Sequence, residues 1–219
     1  MTRILANRAS MLLPKVRSIW LANPLFRSLT YDLFEYALEG VDSLNEADFM
    51  PEIDEFTLKM VSSNEEADEI EALGFEFRSG SPRYREKLDK GAIASCIFVG
   101  RELAYIGWVG LTNEAKESMG DPPYRYKVDF ANGEACAGSI WTNPKYRGMG
   151  LAAYGYFKRL QYLREKGRIV ARGATVENNF ATHRMLARFG PRIYAEGRLL
   201  RVLWWQFWKE WPVEPKREL

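Results

Sequence analysis

Histidine is nearly missing from this sequence: His183 is the only one among 219 residues, and just two cysteines, Cys96 and Cys136, accompany it. A protein-bound transition metal needs several such ligands close together, so no metal is expected. Both cysteines lie in apolar runs that read as strands, which suits buried, reduced thiols in a reducing, cytoplasmic setting better than a disulfide framework. No apolar stretch reaches the roughly 18 residues of a membrane-crossing helix, and no compact hydrophobic segment with a small-residue cleavage site opens the chain. Neither a spanning helix nor a secretory signal is expected. A dominant charge is lacking too. The 31 basic and 29 acidic residues leave +2, which supplies no global field for nucleic acid. No serine stands in a nucleophile-elbow context, so a Ser-His-Asp arrangement is unsupported.

Acidic residues are absent from the first 31 positions, which carry Arg3, Arg8, Lys15, Arg17 and Arg27 between Leu5, Met11, Leu12, Leu13, Ile19, Trp20 and Leu21. This reads as a basic amphipathic extension that packs its apolar face on the rest of the chain or lies on an anionic membrane surface, with an organelle transit peptide as a minor third option. Phe26, Leu29, Leu33, Phe34 and Ala37 continue at helical spacing, predicting a second helix before Gly40. The organisation expected is a helical extension over residues 1–50 and a folded domain over 51–219.

Within that domain the run Phe56 to Val61 reads as a strand, and Ser63 with Glu66 forms a capping signal for a helix ending near Gly74. A short polar helix at 82–89 precedes two apolar runs, Ala92–Val99 and Leu103–Leu111, joined as a hairpin by Gly100-Arg101-Glu102. Residues 113–123 read as a polar loop or lid, Tyr124–Phe130 as a short strand, and Glu134–Thr142 as a longer one. A helix over 150–166 has Ala153, Tyr156, Phe157, Leu160 and Leu163 on one face, with Lys158, Arg159, Arg164 and Lys166 placed to suit the negative pole of its dipole. A buried strand at 168–176, a helix capped by Asn178 or Asn179, and strands at 192–197 and 199–211 complete the pattern.

The chemistry is carried by Arg147-Gly148-Met149-Gly150-Leu151-Ala152, which lies between a predicted strand and a predicted helix. The first backbone amides of a helix have no internal partners and carry about half a positive charge, so a glycine-bearing turn at that point can cradle a pyrophosphate. Arg147 adds a permanent cation, Ala152 is small, and a side chain at Gly150 is expected to occupy the phosphate's space.

This turn resembles the acyl-CoA signature of the GNAT superfamily of N-acetyltransferases, with Arg147, Gly150 and Ala152 at the positions that define it. Asn143-Pro144-Lys145-Tyr146 is similar to the family's approach to that loop, and Asn179, eleven positions before Gly190, to its later Asn-to-Gly motif. The resemblance is strongest over residues 134–190. It implies an α+β fold, a mixed, mostly antiparallel sheet of about seven strands flanked by helices and splayed open between the strands at 134–142 and 168–176. Acetyl-CoA or another acyl-CoA would be the cosubstrate, held by Gly138, Ile140, Trp141, Thr142, Arg147, Gly148, Met149, Gly150, Leu151, Ala152 and Asn179. Backbone groups of Gly138, Ile140 and Thr142 would bond the pantetheine amides and the thioester carbonyl.

The activity implied is N-acylation of a small-molecule or peptide primary amine by direct attack in a ternary complex. A glutamate thirteen positions before the signature's basic residue is the base in one branch of the superfamily, and Glu134 stands thirteen before Arg147. Its apolar neighbours are expected to raise its pKa; Asp129, Glu114 and Glu177 are the other candidates. The tyrosine that often protonates the leaving thiolate is replaced here by Leu186. Tyr194 is taken as the catalytic substitute, with Tyr154, His183 or solvent as alternatives. That departure keeps two further readings open: a CoA-binding or membrane-associated module without catalysis, and a long-chain transferase fed by an acyl carrier protein. The aromatic run Leu203–Trp211 reads as core plus a homodimer interface, or as an apolar groove or membrane contact joined to the basic N-terminal arm.

Overall fold

The computed structural model describes residues 26–78, 83–120 and 125–218. The predicted amphipathic segment up to residue 25 lies outside them. Eight strands are present among the described residues: β1 (Phe26–Ala37), β2 (Thr57–Val61), β3 (Ile93–Val99), β4 (Glu102–Gly110), β5 (Glu134–Thr142), β6 (Val170–Val176), β7 (Arg192–Val202) and β8 (Trp205–Glu218). The described helices are α1 (Asn64–Ala72), α2 (Arg83–Asp89), α3 (Asn113–Met119), α4 (Leu151–Glu165) and α5 (Phe180–Ala187). All strands join one sheet in the order β2-β3-β4-β5-β6-β1-β7-β8. Every pairing is antiparallel except that of β5 with β6.

Each face of the sheet carries its own core. Phe34, Tyr36, Tyr105 and Val109 pack with Tyr156, Phe157 and Leu160 of α4 on one side. Leu33, Ile106 and Trp108 pack with Ile70 of α1 and Leu88 of α2 on the other. The capping signal read at Ser63 is realised: its side chain accepts from the Glu66 amide at 3.2 Å while Glu66 accepts from the Ser62 amide at 2.7 Å.

The helix predicted for residues 25–39 is instead β1, which sits between β6 and β7. Leu33 enters one core and Phe34 and Tyr36 the other. A strand covered on both faces loses the alternation that identifies a strand, so its apolar residues fell by accident at helical spacing. Residues 26–50 are therefore built into the sheet and its α4 face, and the boundary expected at residue 51 has no counterpart in the described structure. The lid expected at 113–123 contains α3, with Thr112 accepting from the Ala115 amide. The short strand expected before Phe130 is replaced by a 3-10 turn at Phe130–Asn132. The last two strands divide at Leu203-Trp204, not at Gly197. Gly197 serves close approach, since a Cβ there would lie 2.3 Å from the Trp208 ring.

Two other glycines shape the ground beneath the site. A Cβ on Gly155 of α4 would lie 2.1 Å from the Tyr105 ring, and one on Gly107 of β4 would lie 2.8 Å from the Arg159 guanidinium. The space so freed lets Tyr105 and Arg159 fill the layer between helix and sheet. Arg159, read from the sequence as one of the cations that suit the negative pole of the α4 dipole, is fully buried.

Candidate active site

β5 and β6 pair only over Glu134↔Val170, Ala135↔Ala171 and Cys136↔Arg172. Beyond Cys136 the two strands part. The break on β5 has a local cause: Ser139 adopts φ 50°, and the β4–β5 register shifts between Ile106 and Trp108. Such a bulge turns the strand and interrupts its ladder. Arg159 holds it from beneath, donating through Nη1 to the Trp108 carbonyl at 3.0 Å and the Gly138 carbonyl at 3.2 Å.

The parted strands enclose a cavity of about 270 Å³ walled by Gly138, Ser139 and Ile140 on one side and Ala174, Thr175 and Val176 on the other. A second cavity of about 590 Å³ shares Ile140, Asn179 and Thr182 with it and extends over Trp141, Thr142 and the 147–152 turn. The two adjoin at these shared residues, one at the helix start and the other in the sheet, and together make up the cleft.

α4 begins at Gly150, in the left-handed region at φ 80°, with no side chain capping its first turn. Gly148 is likewise left-handed, at φ 83°, and a Cβ there would meet nothing within 4 Å. At Gly150 a Cβ would run into Pro51 Cα at 3.2 Å. The side chain excluded at Gly150 therefore conflicts with neighbouring backbone; Gly148 is the glycine that borders open space. Arg147 donates through Nε to the Thr142 carbonyl at 3.2 Å, which fixes its guanidinium over the cleft mouth. An anion fits this arrangement, since orphan amides, a positive dipole end and a cation converge without a competing side chain.

Of the cofactor-binding residues named from the sequence, Gly138, Ile140, Trp141, Thr142, Arg147, Gly148, Gly150, Leu151, Ala152 and Asn179 all border the cleft. Met149 packs instead among the partly buried apolar residues of the α4 core. Asn179 caps α5, accepting from the Thr182 amide at 3.3 Å. Two of the backbone carbonyls expected to face pantetheine are already bonded, that of Gly138 by Arg159 and that of Thr142 by Arg147.

The acid–base candidates are dispersed. Glu134 stands at the paired end of β5, where Oε1 accepts from Arg172 at 2.6 Å and Oε2 from the Asp129 amide at 2.7 Å. Its surroundings are ionic, in contrast to the apolar setting expected. The Tyr194 ring lies 4.4 Å from the same guanidinium. Burial pushes the Tyr194 hydroxyl up to about 12. Tyr154 donates to Glu46 at 2.9 Å, Glu114 pairs with Lys90 at 2.8 Å, and the Asp129 carboxylate is taken by Asn132. His183 lies 3.4 Å from Asp32. Glu177 is exposed after β6. Leu186 is buried and lines the gap, so the wall at this position is apolar and carries no phenol.

Lys87 was not singled out in the sequence, yet it is buried at the bulge. Its Nζ donates to Ser139 Oγ at 2.9 Å and the Met119 carbonyl at 3.2 Å, over the Trp108 ring at 4.9 Å. Desolvation, with Arg83 adding to it, lowers its pKa to about 8 from 10.5. The folded chain thus prefers the neutral amine, so the charge on Lys87 costs stability below pH 8, and that cost is relieved as pH rises from 8 towards 10.5. Urea denaturation of the wild type and Lys87→Met across this range is expected to show the wild type gaining on the variant only above pH 8. A constant difference between them would contradict it. The one sequence sign of Lys87 is its place three residues after Tyr84 and beside Leu88, on the apolar face of a short helix.

Comparison with known proteins agrees with this geometry. The model of the acetyltransferase (GNAT) family matches residues 64–190, and the chain belongs to that family, whose members transfer acyl groups from acyl-CoA to amines. The fold is similar to that of a Drosophila protein, with TM-score 0.50 and 12% identity over 88% of this chain and 57% of that one. It is similar also to a conserved protein of unknown function from Staphylococcus epidermidis, with TM-score 0.50 and 13% identity over 88% of this chain and 67% of that one. The chain spans little more than half of the Drosophila protein, and at these identities the likeness is one of fold. No curated protein matches the sequence.

Proposed function

We propose that the chain transfers an acetyl or longer acyl group from acyl-CoA to a primary amine, the amine attacking the thioester directly while both are bound. The observation that carries this reading is that the cavity at the uncapped α4 start adjoins the gap between β5 and β6. One end suits a diphosphate and the other a slender arm that must lie against strand backbone. The 147–152 turn would hold the diphosphate, and the unpaired edge of β5 beyond Cys136 would align the pantetheine amides. Bound there, acyl-CoA supplies the activated thioester. The chain's own part is to orient it, exclude water and move protons.

The amine must lose a proton as it attacks, and the leaving sulfur must gain one or be held as thiolate. Glu134 is assigned the first role. It lies three residues before the gap opens at Ala137, roughly 10 Å along the strand, so the proton reaches it through water. Tyr194, against the same guanidinium, sits beside this path. The sulfur would rest near the Ser139 bulge, where the Lys87 ammonium, one hydrogen bond behind Ser139 Oγ, stabilises negative charge. Glu134→Gln is expected to lower kcat by about a hundredfold, the lower end of general-base contributions, with little change in CoA affinity. Undiminished kcat would remove Glu134 from the reaction.

Leu186 supports the competing reading of a CoA-binding module without catalysis. Purified protein mixed with acetyl-CoA and a panel of amines, with free thiol followed over time, separates the two. Amine-dependent thiol release is expected. Calorimetric CoA binding with no release for any amine would favour the module, and absence of CoA binding would overturn both.

A further inference from the structure

The end of the β7–β8 hairpin is built unlike an ordinary turn. Val202 pairs with Trp205, leaving Leu203-Trp204 as a two-residue loop. Such loops favour Asn-Gly or Asp-Gly, because left-handed backbone is required. Here Leu203 takes φ 57°. A branched apolar residue in that region is held against its preference. Trp204 is 75% exposed, Trp205 60% and Phe207 55%. Trp205 and Phe207 continue an apolar sheet face with Val202, Leu200 and Phe26, their partners in the register, and no described helix makes an extensive contact with β8. Single exposed apolar residues are common, but indoles and a phenyl ring together at a strained turn mark an interaction surface.

Charge identifies the partner. The strand segments meeting at this end, residues 26–31 and 198–209, contain Arg27, Arg198, Arg201 and Lys209 and no acidic residue. All four cations are exposed, and none has a carboxylate partner among the described residues. Acids return at Asp32, Glu196 and Glu210, and the last two each accept from an indole, Trp211 and Trp208 respectively. A second copy brought up on the same patch about a two-fold axis would set these cations against their own equivalents. An anionic sheet of headgroups would neutralise them while the indoles settle at the boundary between headgroups and acyl chains. β1 also enters at this end, with Phe26 in register with Val202, and the 25 residues before it contain four cations and no acid.

We infer that the β7–β8 tip, through Trp204, Trp205 and Phe207 with Arg27, Arg198, Arg201 and Lys209 around them, docks the protein on an anionic lipid surface. The test is co-sedimentation of the full chain with phosphatidylcholine vesicles, with and without phosphatidylglycerol, followed also by tryptophan emission. The expected result is binding to phosphatidylglycerol vesicles with a blue shift, weakened by salt, and reduced at least about tenfold in the triple variant Trp204→Ser, Trp205→Ser, Phe207→Ser. All three side chains are exposed, so the variant should keep its fold and its CoA affinity, and neither readout depends on acyl transfer. Failure of the wild type to bind these vesicles would overturn the inference. Equal binding by the triple variant would do so too, by transferring the contact to another part of the chain. So would a fall in molecular mass from dimer to monomer on making the triple variant, which would show that a second copy covers the tip.

Discussion

Arg159→Met is expected to lower the unfolding free energy by about 2–5 kcal/mol, from the loss of charge-assisted hydrogen bonds and the stranding of buried carbonyls, offset by the relieved desolvation of the cation. Arg159 is wholly buried, and Nη1 alone serves the Trp108 and Gly138 carbonyls. Those two residues are register partners at the point where the β4–β5 ladder is interrupted. The guanidinium therefore stands in for strand hydrogen bonds that the bulge removes. Methionine fills much of the volume but satisfies neither oxygen. Arg159→Lys should fall between, because an ammonium keeps the charge but has a shorter reach and lacks the Nε that donates to the Gly155 carbonyl. Urea denaturation measures the effect. A loss in Arg159→Met no larger than that of a neutral surface substitution would show that the bulge stands without it. CoA affinity should weaken as well in whatever fraction remains folded, since the wall of the gap is the strand that Arg159 braces.

The part of the site legible in the sequence was the part whose chemistry is local. The strand-to-helix turn at 147–152 and the Asn179 cap each declare themselves within a few residues, because glycine permissiveness, capping and the helix dipole act over one turn. β1 was not legible. Its partners β6 and β7 lie more than 130 residues later, and burial on both faces erased the alternation that would have marked it. The same blindness hid Arg159 and Lys87. Cationic side chains on helices are ordinarily solvated, and only the glycines at 107 and 155 and the bulge at Ser139, brought together by the fold, show why these two are inside. Gly197 was misread as punctuation for a related reason. A glycine that admits a neighbour's ring and one that ends a strand look alike in one dimension.

The left-handed glycines permit a sharper test of the anion cradle than a bulky replacement would. Asparagine tolerates left-handed backbone better than other side chains, so it can be placed at either position with little conformational cost. At Gly150 even its Cβ would crowd Pro51 Cα at 3.2 Å. That segment cannot easily retreat, because the Glu52 amide donates to the Met149 carbonyl at 3.0 Å. Gly150→Asn is therefore expected to lose stability and CoA affinity together, which says little about phosphate. At Gly148 the Cβ meets nothing, and the side chain would project into the open space the residue borders. Gly148→Asn should keep the stability of the wild type yet bind CoA at least about tenfold more weakly, a difference of ~1.4 kcal/mol. Calorimetry on the two variants, with urea denaturation alongside, separates folding from binding. Wild-type affinity in a fully stable Gly148→Asn would mean that the diphosphate does not approach this turn, whatever the shape of the gap behind it.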